Sequence, residues 1–337
     1  MRSSEAVKTE VSTSPGSRVP NPRFSIIIPV KPGGHVNALD ALRQLDTKAC
    51  SFEVLVAEGK TPSQQRNQAA YQSLGDIIYF LDDDSLVPQD VFSWCAAAFE
   101  DRAVSVVGGP SLTPATDSSL QKLFGYALCS AFGAGGVRNR YQAVGLPRET
   151  SEKELILCNM AFRRDDFISF GGFDERLYPN EENELLDRIT TSGHKLVHVP
   201  EMAVERSQRA TLSAFMRQMY SYGCGRAQQT LIAGIGSIVS FVPLFFVIYL
   251  MSFPLAFFWS LWLLPLAVYF LLATVFTVSA MISAGTLYNF FLLLLFPLLH
   301  SCNGVGLLCG FAGGKPNPVA RGVVTIKQLK TFEQLQW

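Results

Sequence analysis

No Asp, Glu, Lys or Arg occurs between Arg226 and Lys315. An apolar helix needs about 20 residues to cross a bilayer, so this charge-free run has room for several crossings. A helix on the surface of a soluble domain carries polar residues on its outer face, and this run offers few. It also explains why only 17% of the chain is charged, against about 25% in ordinary soluble domains. Three apolar segments stand out: Ile232 to Met251, Leu255 to Val275 after a Phe253-Pro254 break, and Tyr288 to Phe311. Pro297, His300, Asn303 and glycines interrupt the third. Arg206, Arg209, Arg217 and Arg226 before the run put that end in the cytoplasm. Lys315, Arg321, Lys327 and Lys330 after it argue the same for the other end. Both ends inside requires an even number of crossings. With three visible segments, either the last is re-entrant or a further crossing is hidden.

The first 22 residues are rich in Ser, Pro, Thr and charge and read as a disordered arm. The seven cysteines contain no close C-x-x-C pair, which supports neither a zinc knuckle nor a disulfide framework. Reduced thiols in a cytosol-facing protein fit best.

The region before the apolar run has a different rhythm. Phe24 to Val30 (FSIIIPV) is an unbroken apolar run, as expected of a buried parallel strand, and Pro29 with Lys31-Pro32-Gly33-Gly34 ends it. Val36 to Leu45 has helical spacing. Phe52 to Ala57 reads as a second strand ending in Glu58, Pro62 to Leu74 as a helix with Pro at its start, and Ile77 to Leu81 as a third strand. This alternation is that of a doubly wound parallel sheet, whose ligands sit beyond the carboxyl ends of the strands. Lys31, Glu58 and Asp82 to Asp84 fall there. A helix from Pro88 to Phe99 and a strand at Val104 to Val107 follow, then a long loop over 110–155 with a helix near Leu120 to Leu128. Strands are expected at Leu155 to Phe162 and Lys195 to Val199, and helices at Glu182 to Ser192 and Leu212 to Gln228. His35, His194 and His198 read as surface or loop residues, and His300 as a residue of the membrane interface.

Asp82-Asp83-Asp84 directly follow a strand. Adjacent carboxylates repel one another unless a cation or solvent compensates. Asp82 and Asp84 leave an extended segment on the same side, which suits a hard divalent cation. Such an ion would bridge the phosphates of a nucleotide and offset charge on a departing diphosphate. The plainer alternative is a solvated acidic turn. A second acidic group, Glu181, Glu182 and Glu184, opens a helix, where acids also complement the dipole.

Four segments, in order, resemble the family 2 glycosyltransferases of GT-A fold: FSIIIPV; QRNQAA with GDIIYFLDDDSLVP; NMAFRRDDFISFGGFDERL; and PNEENELLDRITTSGHKLVHVP. The resemblance covers roughly Phe24 to Arg226. It implies a Rossmann-like α/β domain with a mostly parallel sheet, followed by a C-terminal helical transmembrane region. The implied division is 1–22 arm, 23–204 catalytic domain, 205–230 interface helix, 231–314 transmembrane region and 315–337 basic cytoplasmic tail.

The resemblance also implies roles. Asp84 and Asp82 would hold Mg2+ or Mn2+. Pro29, Glu58, Arg66, Asn67, Asp82 and Asp83 would bind the donor. The segment after Glu58 is shorter than in the family. Glu182 occupies the place of the family's general base, an Asp, with Glu181 next in line. A base opposite the leaving group implies inversion. Asn159, Arg209, Gln218 and Arg226 would meet the acceptor or the diphosphate, although basic residues there also suit lipid head groups. Arg163 and Arg164 would shape the site or be solvated, and Asp174 would fix a turn. The implied protein is an integral membrane enzyme with a cytoplasmic catalytic domain. It would move a sugar, from a UDP-sugar above all, to a lipid-linked or membrane-associated acceptor. Its partners would be that donor, that acceptor and membrane lipids, with no nucleic acid. Two readings stay open beside it: a polyprenyl-phosphate sugar transferase, and a non-catalytic subunit that binds a nucleotide-sugar.

Overall fold

A computed structural model of the chain describes residues 22–45, 51–317, 320 and 322–329. The expected arm at 1–22 lies almost wholly outside them. The chain opens with β1 (Phe24–Val30), α1 (Ala38–Leu42), β2 (Phe52–Glu58), α2 (Pro62–Gln72), β3 (Ile77–Leu81), α3 (Val91–Ala98) and β4 (Val104–Gly108). Next come β5 (Ser111–Leu112), α4 (Ser119–Cys129), α5 (Ala131–Ala134), β6 (Arg148–Thr150) and β7 (Asn159–Arg163). Then follow α6 (Arg164–Ser169), α7 (Glu181–Thr191), β8 (Lys195–His198) and β9 (Val204–Glu205). The helical part comprises α8 (Leu212–Ala233), α9 (Val242–Met251), α10 (Leu264–Ala284) and α11 (Leu292–Ala312), and β10 (Thr325–Leu329) comes last.

Eight strands form one mixed sheet in the order β10-β2-β1-β3-β7-β4-β8-β6. β2, β1, β3, β4 and β8 run one way; β10, β7 and β6 oppose them. This is the expected α/β architecture, with helices on both faces and the apolar helices after it. β1, β3 and β4 are buried along nearly their whole length, which is why they read as unbroken apolar runs. Pro29 belongs to β1 rather than ending it. β1 pairs with β3 only as far as Ile27, so the missing N–H of Pro29 breaks no ladder bond on that side. Leu39, Leu42, Val91 and Phe92 cover one face of the sheet; Ala69, Phe167, Leu185 and Ile189 cover the other.

Three expectations change. Residues 232–251 do not form one long helix: α8 ends at Ala233, and a separate apolar helix spans Ile238–Met251. At 1.5 Å per residue that helix is about 21 Å long, short of a bilayer core. Two helices are long and apolar enough to cross a membrane, Ser260–Ala284 and Leu287–Ala312. Pro297 lies inside α11 without ending it. The second change is the basic tail, whose residues 325–329 form β10, paired antiparallel with β2 from Thr325↔Glu58 to Leu329↔Val54. Alternating apolar and polar residues there (TIKQL) fit a sheet-edge strand. The third is His198, which is fully buried because β8 lies between β4 and β6.

The helical part is continuous with the α/β part. Phe124, Leu128, Phe215 and Met219 share a core with Ala273, Leu292, Phe296 and Leu299. α8 packs on α11 with backbones in near contact. A Cβ on Gly306 would stand 2.1 Å from the Tyr220 carbonyl oxygen, and one on Gly223 2.0 Å from that of Asn303. Small residues permit such approach. His300 is buried against Tyr269 (2.8 Å to its hydroxyl) and the Phe132 carbonyl (3.0 Å).

Candidate active site

The parallel strands β1, β2 and β3 bring Val30, Glu58 and Asp82 to one edge of the sheet. β1 lies between β2 and β3, and a crevice at such a switch of strand order is where ligands of open α/β sheets bind. Gln65 on α2 fastens that helix to the crevice by donating to the carbonyls of Val30 (2.9 Å) and Ala57 (2.5 Å).

Arg66, one residue on, is buried and two-armed. Its Nη2 donates to Asp82 Oδ1 at 2.8 Å and its Nη1 to Glu181 Oε1 at 3.2 Å. The aspartates after β3 and the glutamates that open α7 therefore flank one guanidinium. Arg206, just after β9, approaches from the other side. Its Nη2 lies 3.2 Å from Asp82 Oδ2 and its Nε donates to Asp84 Oδ1 at 2.8 Å.

These arginines set the charge of the cluster. Burial alone would raise Asp82, but Arg206 and then Arg66 outweigh it and hold its carboxyl below the usual range. Asp83 goes the other way: burial first, then the neighbouring Asp84 and Asp82, raise it. Glu181 is pushed up to about 8 by burial and by Glu182, against the pull of Arg66.

Glu182 is buried at 8% exposure. Its Oε1 lies 3.6 Å from Arg140 Nη1 and accepts from Asn183 Nδ2 at 3.3 Å. Arg140 also donates to Asn183 Oδ1 (2.5 Å) and to the carbonyls of Glu152 (2.5 Å) and Lys153 (2.9 Å). One buried guanidinium thus ties the start of α7 to the loop before β7.

Several expected site residues make scaffold hydrogen bonds. Asn67 donates to the Phe173 carbonyl (2.9 Å) and Glu175 Oε1 (3.1 Å) and accepts from the Phe173 N–H (2.9 Å). It pins the GGFDE turn, and both its N–H groups are taken. Gly172 there has φ +70, and a Cβ on it would lie 2.6 Å from Asn67 Oδ1. Asn159 is fully buried; it donates to the carbonyls of Pro110 (3.1 Å) and Met202 (2.7 Å) and accepts from the Tyr79 hydroxyl. It holds the strand end and presents no free N–H to an acceptor. Arg163 sits at the opposite end of the sheet, because antiparallel β7 pairs it with Ile77, and it donates to the carbonyls of Val104 and Phe99. Asp174 fixes its turn through a two-toothed pair with Arg176.

Arg209 and Gln218 do come together. Arg209 Nε donates to Gln218 Oε1 at 3.0 Å, Gln218 Nε2 donates to the Tyr222 hydroxyl at 2.6 Å, and with Arg206 they line one cavity. Arg226 faces a different cavity, lined with it by Glu152, Asp187 and Gln229. Gly225 lets α8 meet the loop before α7; a Cβ there would stand 2.5 Å from the Pro179 carbonyl. No sequence signal marks Arg140. Arg206 was visible only as one basic residue among several near the apolar run.

A divalent cation needs several oxygen ligands at short range. Both oxygens of Asp82 and one of Asp84 are engaged by arginines. Asp84 Oδ2 makes no hydrogen bond or ion pair among the described residues, and the side chain is 42% exposed. No three His, Cys, Asp or Glu side chains converge among the described residues. The donor set fits a cation held by Asp84 alone, with its other ligands from a diphosphate and water. It does not fit an ion bridging Asp82 and Asp84, the pair expected from the sequence, because Arg206 spans them.

Comparison with known proteins adds three likenesses. The succinoglycan biosynthesis protein ExoA of Rhizobium meliloti (strain 1021) is 29% identical over 160 residues, 46% of this chain and 45% of that protein, so the match spans less than half the relative's length. The mannosyltransferase PcManGT from Pyrobaculum calidifontis, solved in complex with GDP-Man and Mn2+, superposes with a TM-score of 0.49 at 13% identity, over 87% of this chain and 88% of that one. S. aureus TarS 1-349 in complex with UDP gives 0.42 at 15% identity, over 63% and 67%. The model of the family described as glycosyl transferase family group 2 matches residues 77–296, from β3 through the acidic pair of α7 into α11. Since that match takes in more than half of the chain, this protein belongs to glycosyl transferase family group 2.

Proposed function

We propose that the protein transfers a sugar from a nucleotide-sugar, with inversion, to a lipid-linked or membrane-associated acceptor in polysaccharide or glycolipid synthesis. The observation that carries this reading is Arg66, which joins Asp82 at the donor end of β3 to Glu181 at the start of α7. It sets an acidic pair suited to proton transfer beside a cluster suited to a diphosphate. Glu182 takes the proton of the acceptor hydroxyl, that oxygen attacks the anomeric carbon, and the nucleoside diphosphate leaves from the opposite face. Arg140 and Asn183 hold the Glu182 carboxylate in place. Asp83 and Glu58 lie where the donor's sugar and nucleoside would sit. A divalent cation bound at Asp84 would offset the charge on the departing diphosphate.

A membrane acceptor is supported by the helical part. In Ser260–Ala284 only 11% of the most apolar stretch is buried in the protein. Phe257, Phe258, Leu271 and Ile282 stand 65–96% exposed. So much uncovered apolar surface marks a membrane or protein contact. Two crossings, an even number, return the chain to the sheet through β10, as basic residues on both flanks require. The short helix Ile238–Met251 would dip into the same leaflet without crossing.

The test is a screen of the purified full-length protein against UDP-, GDP- and other nucleotide-sugars with Mg2+ or Mn2+ and added membrane lipid. Release of nucleoside diphosphate that depends on the lipid fraction supports the reading. Binding of a nucleotide-sugar with no release under any condition overturns it in favour of a non-catalytic subunit.

A further inference from the structure

Arg206 occupies the place between Asp82 and Asp84 that a bridging cation would take, with contacts of 3.2 and 2.8 Å. The backbone that carries it is fixed on both sides. Leu86, two residues past Asp84, exchanges N–H···O bonds of 2.9 Å in each direction with Glu205. The Arg206 N–H donates to the Leu112 carbonyl at 2.9 Å. Ser207 and Gln208 are both tied to Asp117, at 2.6 and 3.1 Å. The side chain is only 20% exposed. This is therefore no surface arginine resting on the nearest acid; the fold delivers it to the cluster.

The guanidinium is not used up there. Nε and Nη2 face the carboxylates, whereas Nη1 makes no hydrogen bond or ion pair among the described residues. Arg206 also lines the polar cavity that holds Ser111, Tyr141, Arg209 and Gln218. An arginine has five N–H donors and stays charged at any physiological pH, and its planar fork matches phosphate oxygens. Three adjacent carboxylates would repel a diphosphate. Arg206 and Arg66 cancel most of that repulsion before any metal arrives.

We infer that Arg206 is a built-in counter-cation of the donor site, which grips the diphosphate of the nucleotide directly and shares the work of charge neutralisation with a single-ligand metal at Asp84. Donor binding then survives removal of divalent ions in weakened form. This inference rests on the donor-site reading above.

The test measures binding of UDP and GDP to the purified full-length protein by calorimetry, in Mg2+ and in EDTA, for wild type, Arg206→Gln and Arg206→Lys. For whichever nucleotide binds in Mg2+, wild type in EDTA should stay within about thirtyfold of that affinity, a remainder of the size that charge-assisted hydrogen bonds supply. Arg206→Gln should lose at least about tenfold in EDTA and less in Mg2+, with Arg206→Lys in between because it keeps the charge but not the fork. Thermal unfolding of each variant checks the fold, and the wild-type EDTA measurement needs no variant. Wild-type binding that vanishes in EDTA overturns the inference and leaves the transferase reading standing. Tighter binding by Arg206→Gln also overturns it, since Arg206 would then only compete with the metal. Failure of both nucleotides to bind under either condition overturns this inference, and the transferase reading is then decided by the wider nucleotide-sugar screen.

Discussion

The acidic cluster after β3 and the acidic pair opening α7 contain the same chemistry, treated in opposite ways. Asp82 meets two guanidinium groups and is held below its usual range, so the end of β3 stays ionised. Glu181 meets one guanidinium, deeper inside and beside another carboxylate, and is raised to about 8. On the proposed reading, the end that would receive a diphosphate has fixed charge, and the end that would handle an acceptor hydroxyl holds a proton within reach of neutral pH. Burial is shared by both, so the balance of arginines against neighbouring carboxylates decides the sign.

That contrast can be broken or sharpened by experiment. Glu182→Gln should cost the largest factor, about a thousandfold in turnover, with donor binding unchanged, as for removal of a general base. Survival of activity would favour a phosphate acceptor, which needs no base. Asp84→Asn should lower metal-stimulated donor use by about a hundredfold, read from a Mg2+ titration of nucleoside diphosphate release. Unchanged metal dependence would remove Asp84 from the site. Arg66→Leu should destabilise the protein by about 3 kcal/mol in denaturant unfolding, since it takes one of two guanidinium partners from the ionised Asp82 and the buried hydrogen-bond donor from Glu181. Adding Glu181→Gln should recover part of that loss, and full additivity would show that the pair is not coupled. Arg140→Lys should reduce kcat about tenfold and leave the donor KM unchanged, because a small shift of the base matters in the reacting geometry. An equal change in both would reduce Arg140 to a scaffold residue.

A further effect is on stability against pH, and its sign separates the two ends. Asp82 titrates below its unfolded value, so its contribution is complete above about pH 4 and lost as pH falls. Glu181 keeps its proton in the folded protein up to about 8, while the unfolded chain releases it near 4.5. The folded state then binds more protons, and stability declines between those values. Glu181→Gln should flatten the fall in thermal midpoint from pH 5 to 8, and Asp82→Asn the fall on the acid side. A wild-type midpoint that does not drop toward pH 8 would remove the contrast.

Much of the sheet was legible in the sequence because parallel strands buried on both faces leave unbroken apolar runs, as in FSIIIPV and IIYFL. The acid residues at the site were legible because they stand at strand and helix ends. Their partners were not. Arg206 follows Asp84 by more than a hundred residues, and no local spacing announces a contact made by the fold. Arg140 lies in a glycine-rich stretch with no periodicity. Asn67 and Asn159 show the converse: an amide beside a site and an amide that locks a turn look alike until its hydrogen bonds are traced. The crossing segments were misjudged in length because hydropathy does not show where backbone hydrogen bonding breaks. Phe253-Pro254 was a visible break, but the one after Ala233 was not.

The strand β10 has a consequence for how this molecule is made. It lies beyond both long apolar helices in the chain, yet it closes the β2 edge of the catalytic sheet. During synthesis the β2 edge emerges early and stays open, an invitation to pairing with other chains, until the apolar helices have been produced. The last strand acts as a keystone, so the catalytic half reaches its finished form only after the chain has threaded through its most water-averse stretch.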